Sequence, residues 1–228
     1  MNYRFTNARI VCPEGGERIG SLYVSDDAIV ADGDGEAIDL GGKLLAPAIV
    51  DLGVFATDKA AFAKGGIARI GLMPDQSPVL DDPGIVQRAA AMGKPELWVH
   101  PIAAATKGLE GLDLAEMAIF AEAGARAVAT GRRWIADSGV MRRVMGYARD
   151  CGLTLIIHAE DSGLTSGAVA TEGETATRLG LPAAPAIAEA LAVARDLALA
   201  EETGAAIHFR QVTTAGALDL IRRAKARG

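Results

Sequence analysis

The chain has 228 residues, of which 50% are hydrophobic and 23% charged, a composition typical of a globular protein with a sizeable core. Its formal net charge of −6 argues against a nucleic-acid binder, whose contact surface would be basic. Cys12 and Cys151 are too few for a disulfide framework, and they fit a reducing compartment. No apolar run is long enough to span a bilayer, and no signal peptide precedes the first strand. The sequence therefore predicts a cytoplasmic protein without membrane contacts.

Residues 1–48 predict a small β domain. Short apolar segments alternate here with turns rich in glycine and aspartate, which is typical of a β-sandwich. We expect this region to form the N-terminal part of such a sandwich. The predicted strands are Tyr3–Val11, Leu22–Val24, Ala28–Val30, Ala37–Leu40 and Lys43–Pro47.

Residues 49–228 show a different pattern, in which apolar runs alternate with helical segments. The first run is continuous and partly β-branched, as expected for a strand that is buried on both faces. The runs that predict strands are Ala48–Leu52, Ile67–Met73, Leu97–Ile102, Ala127–Ala129, Thr154–Ile157 and Ala205–Phe209.

The helical segments have recognisable ends. Pro83–Met92 has proline in its first turn and Asp81 or Asp82 as its cap, and Ser138 is expected to cap the helix that ends before Gly152. The predicted helices are Pro83–Met92, Leu114–Ala123, Ser138–Cys151, Pro185–Thr203 and Thr214–Arg227.

This alternation of strands and helices predicts βαβ units and a parallel sheet, hence an α/β fold. A closed (β/α)8 barrel needs eight strands and about 250 residues, whereas an open doubly wound sheet would accept six. No glycine-rich phosphate loop follows the first strand, and Gly65–Gly66 precedes a strand instead of opening a helix. The spacing alone leaves both architectures open.

His158 is the main candidate for a metal ligand. It ends an apolar strand, where barrel enzymes carry their functional side chains, and Glu160 and Asp161 follow it. The alternative is a histidine that is hydrogen-bonded in a strand-end loop. His100 and His208 lie within predicted strands and are expected to be packed side chains.

Other candidates are weaker. Arg132 and Arg133 follow the fourth strand and could receive an anion, although a solvated loop is the alternative. Gly53 and Phe55, at the end of the first strand, cannot bind a metal ion, and a hydrolytic metal site needs about three converging ligands. No Gly-x-Ser-x-Gly motif is present, which disfavours a serine hydrolase.

A series of collinear segments resembles the dihydroorotases, the cyclic amidohydrolases of pyrimidine synthesis. The resemblance implies an amidohydrolase-type (β/α)8 barrel, with six of its eight units in this chain, beside a β-sandwich. The remaining barrel units, including the strand with the catalytic aspartate, are not among the 228 residues. We therefore expect the chain to be a fragment of a longer product or a shortened member of the family. The matching segments are Leu45–Leu52, Gly65–Ile67, Met73–Pro78, Thr106–Gly111, Met141–Arg143, His158–Asp161, Glu172–Glu174, Arg178–Pro182, Ala194–Leu199 and Ile221–Gly228.

The resemblance also implies a zinc centre, from which this sequence departs. Gly53 and Phe55 stand where the family has its His-x-His pair, and Gln211 replaces the histidine of the sixth strand. His158 is the only ligand of that set that this sequence retains, so we expect zinc to bind weakly or not at all.

The substrate contacts implied by the resemblance are altered as well. Asp75 replaces the substrate-binding asparagine, and Arg132 lies in a segment that replaces an acidic cluster. We take Arg132 and Asp75 as the candidate substrate-binding residues.

These departures predict a dihydroorotase-like pseudoenzyme without activity of its own. Inactive homologues in the family serve as structural partners of aspartate carbamoyltransferase, so we expect a structural or regulatory role beside that enzyme, and a homo-oligomer. The alternative is an active cyclic amidohydrolase of dihydroorotase, hydantoinase or allantoinase type that uses His158, Asp161 and residues from the barrel units that are not in this sequence. A third possibility is a binding protein for an anionic metabolite near Arg132 and Arg133.

Overall fold

The computed structural model describes residues 1–228 and divides into two compact units, Met1–Ile49 and Val50–Gly228. The first unit is one five-stranded sheet, in which the first strand pairs with three others. All the strands predicted here are present, and the second is longer than expected. The two-layered sandwich would need a second sheet, so it stays a prediction. The strands are β1 (Asn2–Cys12), β2 (Gly16–Ser25), β3 (Ala28–Val30), β4 (Glu36–Asp39) and β5 (Leu44–Leu45).

The second unit contains a six-stranded parallel sheet and a separate pair of two-residue strands. Its strands are β6 (Ile49–Val54), β7 (Ile67–Leu72), β8 (Trp98–Ala104), β9 (Ala127–Ala129), β10 (Thr154–His158), β11 (Ala170–Thr171), β12 (Ala183–Ala184) and β13 (Ile207–Arg210). The sheet order is β6-β7-β8-β9-β10-β13, which is also the chain order. A doubly wound sheet would reverse its order at a switch point. The sheet is therefore part of a (β/α) barrel, as the resemblance implied.

Eight α-helices follow or connect these strands, and they range from four to 17 residues. They are α1 (Lys59–Lys64), α2 (Pro83–Ala91), α3 (Met117–Glu122), α4 (Ser138–Asp150), α5 (Ser162–Thr165), α6 (Glu174–Leu179), α7 (Ile187–Thr203) and α8 (Ala215–Arg227). None of them combines the length and hydrophobicity that crossing a bilayer requires.

The helix caps confirm one prediction and correct another. Asp82 caps α2 by accepting the backbone N–H of Gly84 at 2.8 Å. In α4 the cap is Asp137, which accepts the N–H of Val140 at 2.7 Å, because the predicted cap Ser138 is already the first helical residue. Helix α1 was not predicted from the sequence, although Asp58 caps it in the same way.

The main core lies between the sheet and the helices. Successive residues of β10 point to opposite faces, so Leu155 and Ile157 belong to this core and Ile156 belongs to a smaller cluster on the other face. Phe120 of α3 and Met141 of α4 are fully buried against the sheet. The smaller cluster consists of Met73, Ile102, Ala127, Ala129 and Ile156, with Phe55 packed against it.

The first strand of the barrel is not buried as expected. Val50 and Leu52 are 51% and 62% exposed, so the prediction that this run is covered on both faces is wrong. β6 is an edge strand, and no layer of the chain covers this part of the inner face. Val50 and Leu52 instead line an open cavity of about 470 Å³ with Ile102 and Ile156. The exposed His208 also lines this cavity, which contradicts its prediction as a packed side chain.

Candidate functional site at the barrel mouth

The carboxyl ends of three strands bring an aromatic ring and two arginines together. Phe55 follows β6, Arg132 follows β9 and Arg210 ends β13. The Cζ atom of Arg132 lies 4.3 Å from the centroid of the Phe55 ring, and that of Arg210 lies 4.9 Å from it. Both guanidinium groups are therefore within the range of cation–π attraction to one ring. This ring stands at a position where the resemblance implies a metal-binding histidine.

Asp75 holds the loop that carries Arg132. One oxygen of its carboxylate, Oδ1, accepts the backbone N–H of Arg132 at 3.1 Å. The loop turns at Gly131, whose φ of +76° suits glycine. A Cβ atom at Gly131 would lie 3.0 Å from Leu109 Cδ1 and 3.2 Å from Asp75 Oδ1. Asp75 thus contacts the loop backbone, and its contact with a substrate stays a prediction.

The backbone beside Phe55 is held by Gln76. The side-chain amide of Gln76 donates to the carbonyl oxygen of Phe55 at 3.2 Å and to that of Met73 at 3.0 Å. Because one amide group links the segments after β6 and β7, the backbone at Phe55 is held next to the neighbouring strand.

Two polar atoms in this region are buried without a hydrogen-bond partner, namely Asp75 Oδ2 and Arg210 Nη1. Burial lowers the pKa of the Arg210 guanidinium, while the charge of Asp75 raises it and that of Arg132 lowers it further. An arginine remains protonated despite such shifts, so the mouth keeps two positive charges around Phe55.

His158 lies at the end of β10, and its side chain is 21% exposed. Its Nε2 atom is 3.4 Å from Glu160 Oε2, while its Nδ1 atom is buried without a partner. The backbone N–H of His158 donates to Thr130 Oγ1 at 3.3 Å. Glu160 is therefore the one carboxylate in direct contact with the imidazole.

The residues present do not fit the zinc ion that the resemblance implies. Nowhere in the chain do three His, Cys, Asp or Glu side chains converge in a way that could hold a metal ion. Gly53 and Gln211 are exposed at their strand ends, and Phe55 is covered by guanidinium groups. His158 with Glu160 provides fewer donors than a zinc site requires.

A cavity of about 340 Å³ lies beside His158. Its lining residues are Arg132, Arg133, Trp134, His158, Glu160, Ser162 and Thr165. The Trp134 wall is fixed by α7, because its indole N–H donates to Asp196 Oδ2 at 3.1 Å and the Arg195 guanidinium lies 3.8 Å from its ring. Burial raises the pKa of the Asp196 carboxyl, against the opposing effects of Arg195 and Trp134.

The structure brings some predicted site residues together and separates others. Phe55, Asp75 and Arg132 form one connected group, and His158 lines the cavity next to it. Arg210 was not among the predicted site residues, although its position directly after a predicted apolar strand is a usable signal. The contact between Trp134 and Asp196 was not predicted either, because the two residues lie far apart in the sequence.

Comparison with known proteins identifies the family. A family model described as dihydro-orotase-like matches residues 41–216, and the chain belongs to this family. A dihydroorotase of Pelotomaculum thermopropionicum is 41% identical over 206 residues, which cover 85% of this chain and 48% of that protein. A dihydroorotase of Syntrophotalea carbinolica is 36% identical over 251 residues, which cover 100% of this chain and 59% of that protein. The chain thus spans about half the length of these curated relatives.

Solved structures confirm the fold. The L-hydantoinase from Arthrobacter aurescens superposes with a TM-score of 0.78 at 20% identity, covering 99% of this chain and 56% of that chain. A D-hydantoinase gives a TM-score of 0.75 at 22% identity and covers 100% of this chain and 56% of that chain. At these identities the similarity establishes the amidohydrolase barrel, of which this chain contains a part.

Proposed function

We propose that this dihydroorotase-like protein has no dihydroorotase activity of its own. The observation that supports this proposal is the stack of Arg132 and Arg210 on Phe55 at the end of β6. Metal-dependent hydrolysis of a cyclic amide requires an ion that polarises the carbonyl group and activates water. Two guanidinium groups repel a divalent cation from this position, and a phenyl ring offers it no ligand.

The proposed role is structural or regulatory, beside aspartate carbamoyltransferase and in a homo-oligomer. This role rests on the family resemblance, because Val50 and Leu52 are exposed on the inner face of the edge strand β6, a face that further strands cover in a closed barrel. A structural role depends on the surface of the barrel. It does not require metal-binding or catalytic residues at the barrel mouth.

Zinc analysis and an activity assay test the first part of the proposal. Purified protein, supplied with zinc and then desalted, is expected to retain far less than one zinc ion per chain. It is also expected to leave dihydroorotate and carbamoyl aspartate unchanged. Stoichiometric zinc together with turnover that His158→Ala abolishes would support the alternative, an active cyclic amidohydrolase, and would overturn the proposal.

Sedimentation tests the second part. We expect a complex when the chain is mixed with aspartate carbamoyltransferase from the same organism, and a Leu52→Thr variant is expected to weaken either that complex or self-association. Monomeric behaviour of the wild-type chain, alone and in the mixture, would contradict the proposed partnership.

A further inference from the structure

We infer that the cavity beside His158 is a binding site for a small anion, with Arg132 and Arg133 holding its carboxylate or phosphate group. This inference does not depend on the proposed absence of activity. It concerns a ligand that the mouth can bind without any metal ion.

The cavity is lined by more cationic than anionic side chains. Arg132 and Arg133 line it, and neither takes part in any ion pair of the structure. The one carboxylate in the lining, Glu160, lies beside His158. Several other arginines also lack a carboxylate partner, for example Arg143 and Arg178, but Arg132 and Arg133 are adjacent and line the same cavity. Two adjacent cations without partners are a suitable receptor for an anion.

Arg132 is held in position before any ligand binds. Its guanidinium lies against the Phe55 ring, and its backbone N–H is held by Asp75. A guanidinium fixed in this way loses less conformational entropy when it binds an oxyanion, and its planar fork matches carboxylate and phosphate oxygens. Arg210, on the same ring, adds positive charge to the mouth.

The remaining walls of the cavity combine hydroxyl groups with an aromatic ring. Ser162 and Thr165 provide hydroxyl groups, and Trp134 provides an aromatic wall that Asp196 keeps in place. The volume of about 340 Å³ is at the small end of the range for ligand sites. The cavity therefore suits an anion with only a few carbon atoms.

Isothermal titration with two separate probes, inorganic phosphate and succinate, tests this inference. At least one probe is expected to bind saturably with one site per chain and more weakly at high salt. The probe that binds tells which group the site prefers. Absence of saturable binding by both probes would overturn the inference.

Variants locate the site. Arg132→Gln and Arg133→Gln are each expected to weaken binding about tenfold or more, because each removes a charged donor. Phe55→Leu keeps an apolar side chain but removes the aromatic face, and it is expected to weaken binding several-fold. Arg222→Gln on the exposed face of α8 is the matched control and should bind like wild type. Equal affinities of the Arg132 variant and the control, in proteins with unchanged circular dichroism, would place binding elsewhere and refute the inference.

Discussion

Trp134 donates its indole N–H to the carboxylate of Asp196 at 3.1 Å, which joins the loop after β9 to the middle of α7. Asp196 is fully buried and also accepts two hydrogen bonds from Arg195, whose guanidinium stacks on the Trp134 ring. Each of the three side chains thus contacts the other two. These mutual contacts hold the Trp134 ring, which forms one wall of the cavity at the barrel mouth.

Replacing Asp196 by Asn is expected to lower the free energy of unfolding by about 3 kcal/mol, because the change leaves the mostly buried Arg195 guanidinium without its counter-charge. Urea denaturation measures this loss. Asp219→Asn is the control, since Asp219 forms exposed ion pairs on α8 and should cost less than about 1 kcal/mol. Similar losses in the two variants would show that the buried triad contributes no special stability.

Glu189 is expected to make stability depend on pH. Its carboxylate accepts the backbone N–H groups of Thr213 at 2.8 Å and Thr214 at 2.7 Å, at the start of α8. Burial raises the pKa of Glu189, but hydrogen bonds from Thr214 and Thr213 outweigh it, so the pKa lies below its usual value of 4.5.

Because the folded pKa of Glu189 is the lower one, the stabilisation is complete above the unfolded pKa and disappears as pH falls through the folded pKa. Glu189→Gln should therefore be less stable than wild type at neutral pH, by about 1–2 kcal/mol. The difference should shrink in acid, as measured by thermal unfolding at several pH values. A gap that stays constant between neutral and acidic pH would contradict the assignment of the shift to Glu189.

Gly131→Ala is expected to disturb the loop that carries Arg132. The new Cβ would lie 3.0 Å from Leu109 Cδ1, and the φ of +76° disfavours alanine. We expect a loss of about 1–2 kcal/mol in the free energy of unfolding. Gly146→Ala in α4 is the control, because a Cβ atom there would have no neighbour within 4 Å and the helical backbone suits alanine. Equal stability of the two variants would show that the loop tolerates the extra atom.

Leu52→Thr is expected to reduce self-association without unfolding the protein. Leu52 is 62% exposed on the edge strand β6, and threonine keeps the strand preference while removing apolar surface. Analytical ultracentrifugation should show a lower average mass at high protein concentration than for wild type. Leu179→Thr, which also changes an exposed leucine but lies outside this face, should leave the mass unchanged. A mass that does not respond to the Leu52 change would exclude this surface as an interface.

The strands of the two larger sheets and most helices were predictable because their signals are local, whereas the two-residue strands β11 and β12 were not predicted. Asp82 and Pro83 mark the start of α2 by their own chemistry, whatever lies around them. The exposure of β6 was not predictable in this way. The run Ala48–Leu52 has the composition of a covered strand, and coverage depends on neighbouring layers that the run itself does not encode.

The candidate site was also predictable only where the signal is local. The replacement of ligand positions by Gly53, Phe55 and Gln211 could be identified from sequence, because each position follows a recognisable strand. The stacking of Arg132 and Arg210 on Phe55 could not, since the three residues meet only after three distant strands have assembled. The orientation of a side chain at a strand end depends on the loops around it, such as the one held by Asp75.

The agreement between strand order and chain order in the barrel sheet has a consequence for how the protein acquires its structure during synthesis. Each later strand of this sheet, from β7 to β10 and then β13, joins the edge left by the sheet strand before it, so its pairing partner has already left the ribosome. No strand has to wait for a later one to be inserted beside it. The nascent chain can therefore extend its sheet one strand at a time, with each edge serving as the template for the next.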